Sequence, residues 1–302
     1  MNPAPIILFV YNRPWHTKQT VEALQKNELA HDSELFIYSD GPRNTEETQV
    51  AVAEVRNYLK SVDGFKKITI TESPKNLGLA ASVIRGVSEV VNKYGRVIVL
   101  EDDLVTSPYF LTFMNDALDV YQHEESVMHI SGYMFPVDTS DLPETFFLRT
   151  ASCWGWATWD RAWKHYRKNP QKLLGEFTKQ KINRFNLDGV NNFWAQVERN
   201  EKGLINTWAV FWYATVFQMD GLCLHPSFSM VNNIGNDDTG VHCKQSCDFD
   251  TTLASKPIKY FEENIAESAL AHTRTKEFFR TLKPPFLYRI FSAIRRRLLR
   301  KV

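Results

Sequence analysis

Three consecutive carboxylates, Glu101-Asp102-Asp103, follow directly on four apolar residues in the run VIVLEDDL at 97–104. A strand that is apolar on successive residues is buried on both faces. Acids at its end therefore sit at the edge of a core, where desolvation and mutual repulsion oppose their ionisation. A divalent cation relieves that cost, because Mg2+ or Mn2+ takes hard oxygen ligands, usually one or two carboxylates together with substrate phosphates. The other reading of the triplet is a solvated start to the following helix, with Thr106 or Ser107 as its N-cap.

Further groups with usable chemistry fall at similar places. Asp40, in IYSDGPR, could accept the imide N–H of a uracil ring, although Asp-Gly-Pro is also an ordinary turn. Tyr11 and Arg13 lie in the turn YNRP, where the guanidinium could neutralise a diphosphate. In PKNLGLAASVIRG, Asn76 and Gly78 stand just before a helix, a place where backbone N–H groups and a missing side chain let phosphate or nucleotide approach. The loop NNIGNDDTGVHC at 232–243 brings His242, a further metal ligand if the loop folds over the site. Seven of the eight tryptophans fall between 154 and 212. An indole face packs well on a sugar ring, so Trp154, Trp156 and Trp208 are read as an acceptor platform, with Trp159 as a further option and most of the others as core.

These groups need a frame. Apolar runs at Ile6–Val10, Leu35–Tyr38, Ile68–Thr71 and Val97–Leu100 read as strands. Helical spacing at about 15–28, 45–60 and 79–93 separates them, as in Val83, Val87, Val90 and Val91. This alternation predicts an α/β fold with a mostly parallel central sheet flanked by helices. Each strand ends in polar residues, and ligands of such sheets bind outside the carboxyl ends of the strands, so four polar ends converge on one crevice. A helix at about 107–121 and strands at Val127–Ser131 and Phe146–Arg149 follow.

Composition sets the outer limits. With 302 residues, 43% apolar and 24% charged, the chain is ordinarily globular. Its formal charge of +1 hides an asymmetry: residues 274–302 carry ten Lys and Arg against one acid, Glu277. The reading is therefore one compact unit over 1–273, with a donor half to about 105 and an acceptor half from about 106, followed by a basic tail. Past Pro284-Pro285 the tail repeats Leu287, Ile290, Phe291, Ile294 and Leu298 at helical spacing among arginines. That pattern suits a helix lying on an anionic membrane; docking on the acidic body is the alternative, and nucleic acid is disfavoured because nothing else is basic. Four scattered cysteines read as reduced thiols. The N-terminus reads as a strand rather than a signal peptide, and no apolar stretch approaches a membrane span. The expected location on this reading is the cytoplasm, peripheral to the inner face of the membrane.

On PIILFVYNRP, YSDGP, VIVLEDDLVTSPYF, MHISGY, FLRTASCWGWATW and GLCLHPSFSMVNNIG, from about residue 4 to 243, the sequence resembles the GT-A glycosyltransferases related to N-acetylglucosaminyltransferase I and bacterial enzymes of surface polysaccharides. The resemblance implies the GT-A (nucleotide-diphospho-sugar transferase) fold, a UDP-sugar donor, a DXD-type acid motif and inversion at the anomeric carbon. It also implies Mn2+ at Asp103, with Glu101 and Asp102 orienting nucleotide and sugar. One departure stands out. Where the eukaryotic relative follows a tryptophan with two acids, one of them the general base, this chain has Ala209 and Val210 after Trp208. The base is then expected at Asp237 or Asp238, beside His242, with Asp220 as the fallback. The expected function is metal-dependent inverting transfer of a hexosyl or N-acetylhexosaminyl group to a glycan or lipid-linked glycan. Two rivals stay open: a catalytically inactive carbohydrate-binding or scaffold protein, and a nucleotidyltransferase.

Overall fold

The first expected strand forms as read, β1 (Ile6–Val10), and the next three gain a residue at each end: β2 (Glu34–Ser39), β3 (Lys67–Glu72) and β4 (Arg96–Glu101). Between them lie α1 (Pro14–Gln25), α2 (Glu46–Leu59) and α3 (Leu79–Tyr94). This computed structural model describes residues 3–237 and 246–282. Pro14 occupies the first helical position of α1, where its missing N–H costs nothing. Gly95, with φ +79°, ends α3 in the left-handed conformation that helix C-termini favour.

Strands β3, β2, β1 and β4 lie side by side and parallel. Every residue of β1 is buried, and its period of two divides them between two cores. Ile6, Leu8 and Val10 join Ile98 and Leu100 against Val21 and Leu24 of α1 and Val55 and Leu59 of α2. Ile7 and Phe9 join Val97 and Val99 against Val83, Val87, Val90 and Val91 of α3. The strand pattern and the helix pattern thus agree, and the carboxyl ends of β1, β2 and β4 are brought level, with Phe9 opposite both Tyr38 and Glu101.

Beyond the triplet the chain forms β5 (Leu104–Thr106), α4 (Phe110–Val120), β6 (Val127–Ser131), β7 (Thr145–Leu148), β8 (Trp156–Trp159), α5 (Asp160–Trp163), α6 (Pro170–Glu176), α7 (Lys179–Phe185), α8 (Trp194–Glu201), α9 (Ala209–Gln218), β9 (Leu222–Pro226), β10 (Val231–Asn233) and α10 (Ala269–Thr281). The main sheet has the order β3-β2-β1-β4-β8-β6-β9-β7. Strand β8 runs antiparallel between β4 and β6, and β6 and β9 are parallel. The whole is the mostly parallel, helix-flanked α/β sheet that was expected. Thr106 belongs to β5 and Tyr109 is the N-cap of α4; the Ser107 hydroxyl accepts from the Tyr109 N–H at 3.3 Å in the turn just before the helix, so Ser107 rather than Thr106 serves the helix start.

The tryptophan-rich half is largely core. Trp156 stacks on Trp208 at 5.4 Å, Trp163 lies 5.0 Å from Trp212, and the Trp212 indole donates to His129 Nδ1 at 3.0 Å. Helix α10 is capped by the Ser268 side chain and docks Phe278 and Phe279 on Phe135. It crosses position 274, so the boundary drawn there from charge falls inside a packed helix. The amphipathic residues 284–302 lie outside the described residues. Among the described residues no helix is long and apolar enough to cross a membrane, and Cys153, Cys223 and Cys247 are free.

Candidate active site

Glu101 is the last residue of β4, and Asp102-Asp103 form the turn into β5. Helix α1 fixes that turn from below. Thr20 Oγ1 donates to the Asp102 carbonyl at 2.8 Å and accepts from the Leu104 N–H at 3.1 Å. Strand β10 fixes it from the other side, pairing with β5, and the Ile234 N–H donates to the Asp103 carbonyl at 2.9 Å. Gly235 then passes so close that a methyl on its α-carbon would stand 2.1 Å from Asp103 Oδ2. Any side chain there would have to push the Asp103 carboxylate aside.

The acids share one cation. Arg13, the N-cap of α1, places Nη2 at 2.5 Å from Asp102 Oδ1 and 2.7 Å from Asp103 Oδ2. Burial opposes the guanidinium charge, but the two aspartates outweigh it and hold the Arg13 pKa above its ordinary value. Burial, followed by the charges of Asp103 and Asp102, pushes Glu101 up to about 8, although the Trp208 indole hydrogen-bonds it. Burial also raises Asp102, against the pull of Arg13. When ionised, three carboxylates and one guanidinium leave two negative charges, the complement of one divalent cation. Two hard oxygens already converging on one cationic nitrogen form a fitting partial ligand set for Mn2+ or Mg2+. Asp102 and Asp103 would hold such an ion. Among the described residues no group of three or more His, Cys, Asp or Glu is arranged to hold a metal.

Asp40 does something other than expected. Its Oδ1 accepts from the N–H groups of Gly41 (2.9 Å) and Leu77 (2.8 Å), and its Oδ2 from the Gly78 N–H (2.9 Å) and the Asn76 amide (3.1 Å). A carboxylate offers about four acceptor sites, and all are taken. In this structure the side chain expected to accept a uracil imide N–H clasps the turn 76–78. Arg56 reinforces the clasp by donating to the Ser73 carbonyl at 2.7 Å. Gly78 has φ +79°, with open space where a side chain would begin. Glycine adopts that left-handed backbone without steric cost.

Tyr11, Arg13, Asp40, Asn76, Gly78 and the acid triplet line one cleft of about 390 Å3. Tyr38, Arg43, Ser82 and Asn206 line it too and were not foreseen. Two polar atoms of this wall, Tyr11 Oη and Arg13 Nη1, are buried without a hydrogen-bond partner among the described residues. Unpaired buried donors are costly, and a polar, anionic ligand would satisfy both. His16 was also missed: in the first turn of α1, its Nε2 lies 3.0 Å from Asp237 Oδ2. The strand-end rule would have found it, since a first-turn residue after β1 lies by the same crevice.

Several expected residues fall elsewhere. Trp156 is 1% exposed and Trp208 3%; both are spent on the aromatic core, Trp208 also on Glu101, so neither offers a face to an acceptor sugar. Trp159 is likewise buried, its indole donating to the Leu118 carbonyl. Trp154 is half-buried, edge-on to Tyr133. Ala209 and Val210 open α9 directly after Trp208, leaving no carboxylate there. Asp220 lies before β9, near the end of the sheet where Leu222 pairs with Val127, and bonds Arg149. That end is opposite to Glu101, which removes the fallback base. Asp238 and His242 lie outside the described residues.

Residues 6–185 match the family model described as glycosyl transferase family 2. The chain belongs to that family. It is a glycosyltransferase, and its sheet has the GT-A arrangement that the resemblance implied. Similar solved structures include the mannosyltransferase PcManGT from Pyrobaculum calidifontis in complex with GDP-Man and Mn2+, at 11% identity, 73% of this chain, 70% of that chain and a TM-score of 0.40. Another is S. aureus TarS, at 15% identity, 42% of this chain and a TM-score of 0.30; the glycosyltransferase covers 21% of TarS. No curated protein sequence matches the glycosyltransferase.

Proposed function

We propose that this glycosyltransferase is metal-dependent and inverting, moving a sugar from a UDP-sugar to a glycan or lipid-linked glycan acceptor in surface polysaccharide synthesis. The observation that carries the reading is the convergence of Asp102 and Asp103 on one cationic atom beside two donors that are unpaired among the described residues, Tyr11 Oη and Arg13 Nη1. When bound, Mn2+ or Mg2+ would neutralise charge on the departing nucleoside diphosphate. Arg13 and Tyr11 would donate to its oxygens, and Gly78 would give the nucleotide room. The preference for uridine rests on the family resemblance, since Asp40 is engaged within the protein. UDP with Mn2+ is expected to raise the melting temperature more than GDP with Mn2+. A larger rise with GDP would overturn the uridine assignment, and no rise with either would overturn the nucleotide-sugar reading.

An inverting transfer needs a proton acceptor for the incoming hydroxyl. Asp237 is the described carboxylate on the segment that crosses Asp103, and His16 holds it at 3.0 Å. With this pair as base and orienting group, Asp237→Asn should lower kcat about a hundredfold while leaving UDP affinity unchanged. Transfer at more than a third of the wild-type rate would remove the assignment.

The bare positions Ala209 and Val210 favour a second reading, a non-catalytic sugar-binding protein. It predicts glycan binding with neither transfer nor hydrolysis of any UDP-sugar tested. The basic residues 284–302 supply the membrane part of the proposal. Deleting them should abolish flotation with vesicles of anionic lipid and leave UDP binding intact; unchanged flotation would exclude an anchoring role.

A further inference from the structure

The position of Arg13 raises a conflict that the metal-dependent reading does not resolve. Its Nη2 occupies the point on which Asp102 Oδ1 and Asp103 Oδ2 converge, at 2.5 and 2.7 Å. A divalent cation bound by those same oxygens would stand against a fixed positive charge. The Gly235 backbone also passes close by: a methyl there would lie 2.1 Å from Asp103 Oδ2 and 2.9 Å from Arg13 Nη1, so the pair is approached from that side as well. Meanwhile Arg13 Nη1 is buried with no hydrogen-bond partner among the described residues, in a side chain that lines the cleft. One arm of the fork is satisfied by the acids, and the other finds no partner among the described residues.

We infer that Arg13 is a tethered cation that holds the acid pair until a nucleoside diphosphate draws it away, so that ion binding depends on the nucleotide. This rests on the metal-dependent reading above. Without nucleotide, an incoming ion must displace the guanidinium, which then has no anion to pair with. With nucleotide, the diphosphate oxygens accept from Nη1 and then from Nη2, and Asp102 and Asp103 are freed for the ion. The two ligands therefore favour one another, and linkage requires the coupling to be reciprocal. A guanidinium suits the role because its rigid fork can touch two anions at once, whereas an ammonium is a single point charge.

Free Mn2+ measured by electron paramagnetic resonance tests this on the full chain, with no turnover required. Wild type, Arg13→Gln and Arg13→Lys are titrated with Mn2+ alone and with saturating UDP, correcting for Mn2+ held by UDP in solution. The wild type should bind Mn2+ at least tenfold more tightly with UDP than without. Arg13→Gln should bind Mn2+ alone about tenfold more tightly than wild type, with the UDP enhancement reduced to about twofold or less. Arg13→Lys should match wild type for Mn2+ alone yet lose most of the enhancement, and it carries the test if the glutamine variant does not fold. If the variants bind Mn2+ as the wild type does, alone and with UDP, the inference falls and the metal reading stands. If wild type binds no Mn2+ in either state, both fall.

Discussion

Asp103→Asn is expected to lower sugar transfer by about three powers of ten, the consequence of losing several kcal/mol of transition-state charge stabilisation. The substitution keeps shape and removes charge. Backbone bonds from Ile234 to the Asp103 carbonyl and from Thr20 to the same turn are untouched, so the variant should fold with an unchanged circular dichroism spectrum. Arg13 would retain Asp102 alone, and the acid pair that could hold an ion would fall to one full carboxylate. Asp103 also contributes to keeping Glu101 up at about 8, after burial itself, so its loss eases ionisation of Glu101. Transfer measured at saturating Mn2+ and donor decides the matter: a folded variant that keeps more than a tenth of the wild-type rate would end the case for Asp103 as the ion's ligand.

The second large effect is on stability in acid. His129 and His225 are completely buried, and burial lowers their pKa values from 6.5 to about 3 and about 4. His129 is locked neutral: Nδ1 accepts from the Trp212 indole at 3.0 Å, which leaves Nε2 to donate to the Ser152 carbonyl at 2.9 Å. His225 pairs Nε2 with the Thr150 carbonyl at 2.9 Å. The unfolded chain protonates both near pH 6.5 and the folded chain does not. Their contribution is therefore complete above pH 6.5 and is lost as pH falls towards the folded values. By pH 5 the loss is about 2 kcal/mol for each. Glu101 acts with the opposite sign, because its raised folded pKa favours the folded state as pH falls from about 8 towards 4.5. Comparing wild type with a His129→Gln, His225→Gln double variant cancels that effect. Between pH 7 and pH 5 the wild type should lose about 4 kcal/mol relative to the variant in urea unfolding; parallel losses would show that the buried imidazoles carry no such cost.

Legibility followed periodicity. The donor half could be read because β1 and β4 are apolar on both faces and α3 keeps valines at helical spacing, so local pattern and final packing coincide. The same reading placed Tyr11, Arg13, Asn76, Gly78 and the triplet by one cleft. It failed where function depends on contacts distant in sequence. Asp40 looked available because nothing local shows that the N–H groups of Leu77 and Gly78 come back to it. Trp156 and Trp208 looked like sugar platforms because a tryptophan's partners cannot be read from its neighbours, and here those partners are each other and Glu101. Strand β8 was hidden for a related reason: WATW is short, and its place between β4 and β6 is set by pairing rather than by pattern. The aspartate of the His16–Asp237 pair was foreseen and its partner was not, since 221 positions separate them.

The Asp40 clasp bears on how the nucleotide is received. Because the carboxylate is saturated from within, the turn 76–78 holds its shape before any ligand arrives, and little conformational freedom is left there for binding to remove. This wall of the cleft is preorganised. On the proposed reading the entropic cost of engaging a donor would fall on Arg13, which would exchange its aspartates for the diphosphate. Selectivity at the clasp would be that of a rigid mould, which admits a base that fits and does not reshape itself for one that does not.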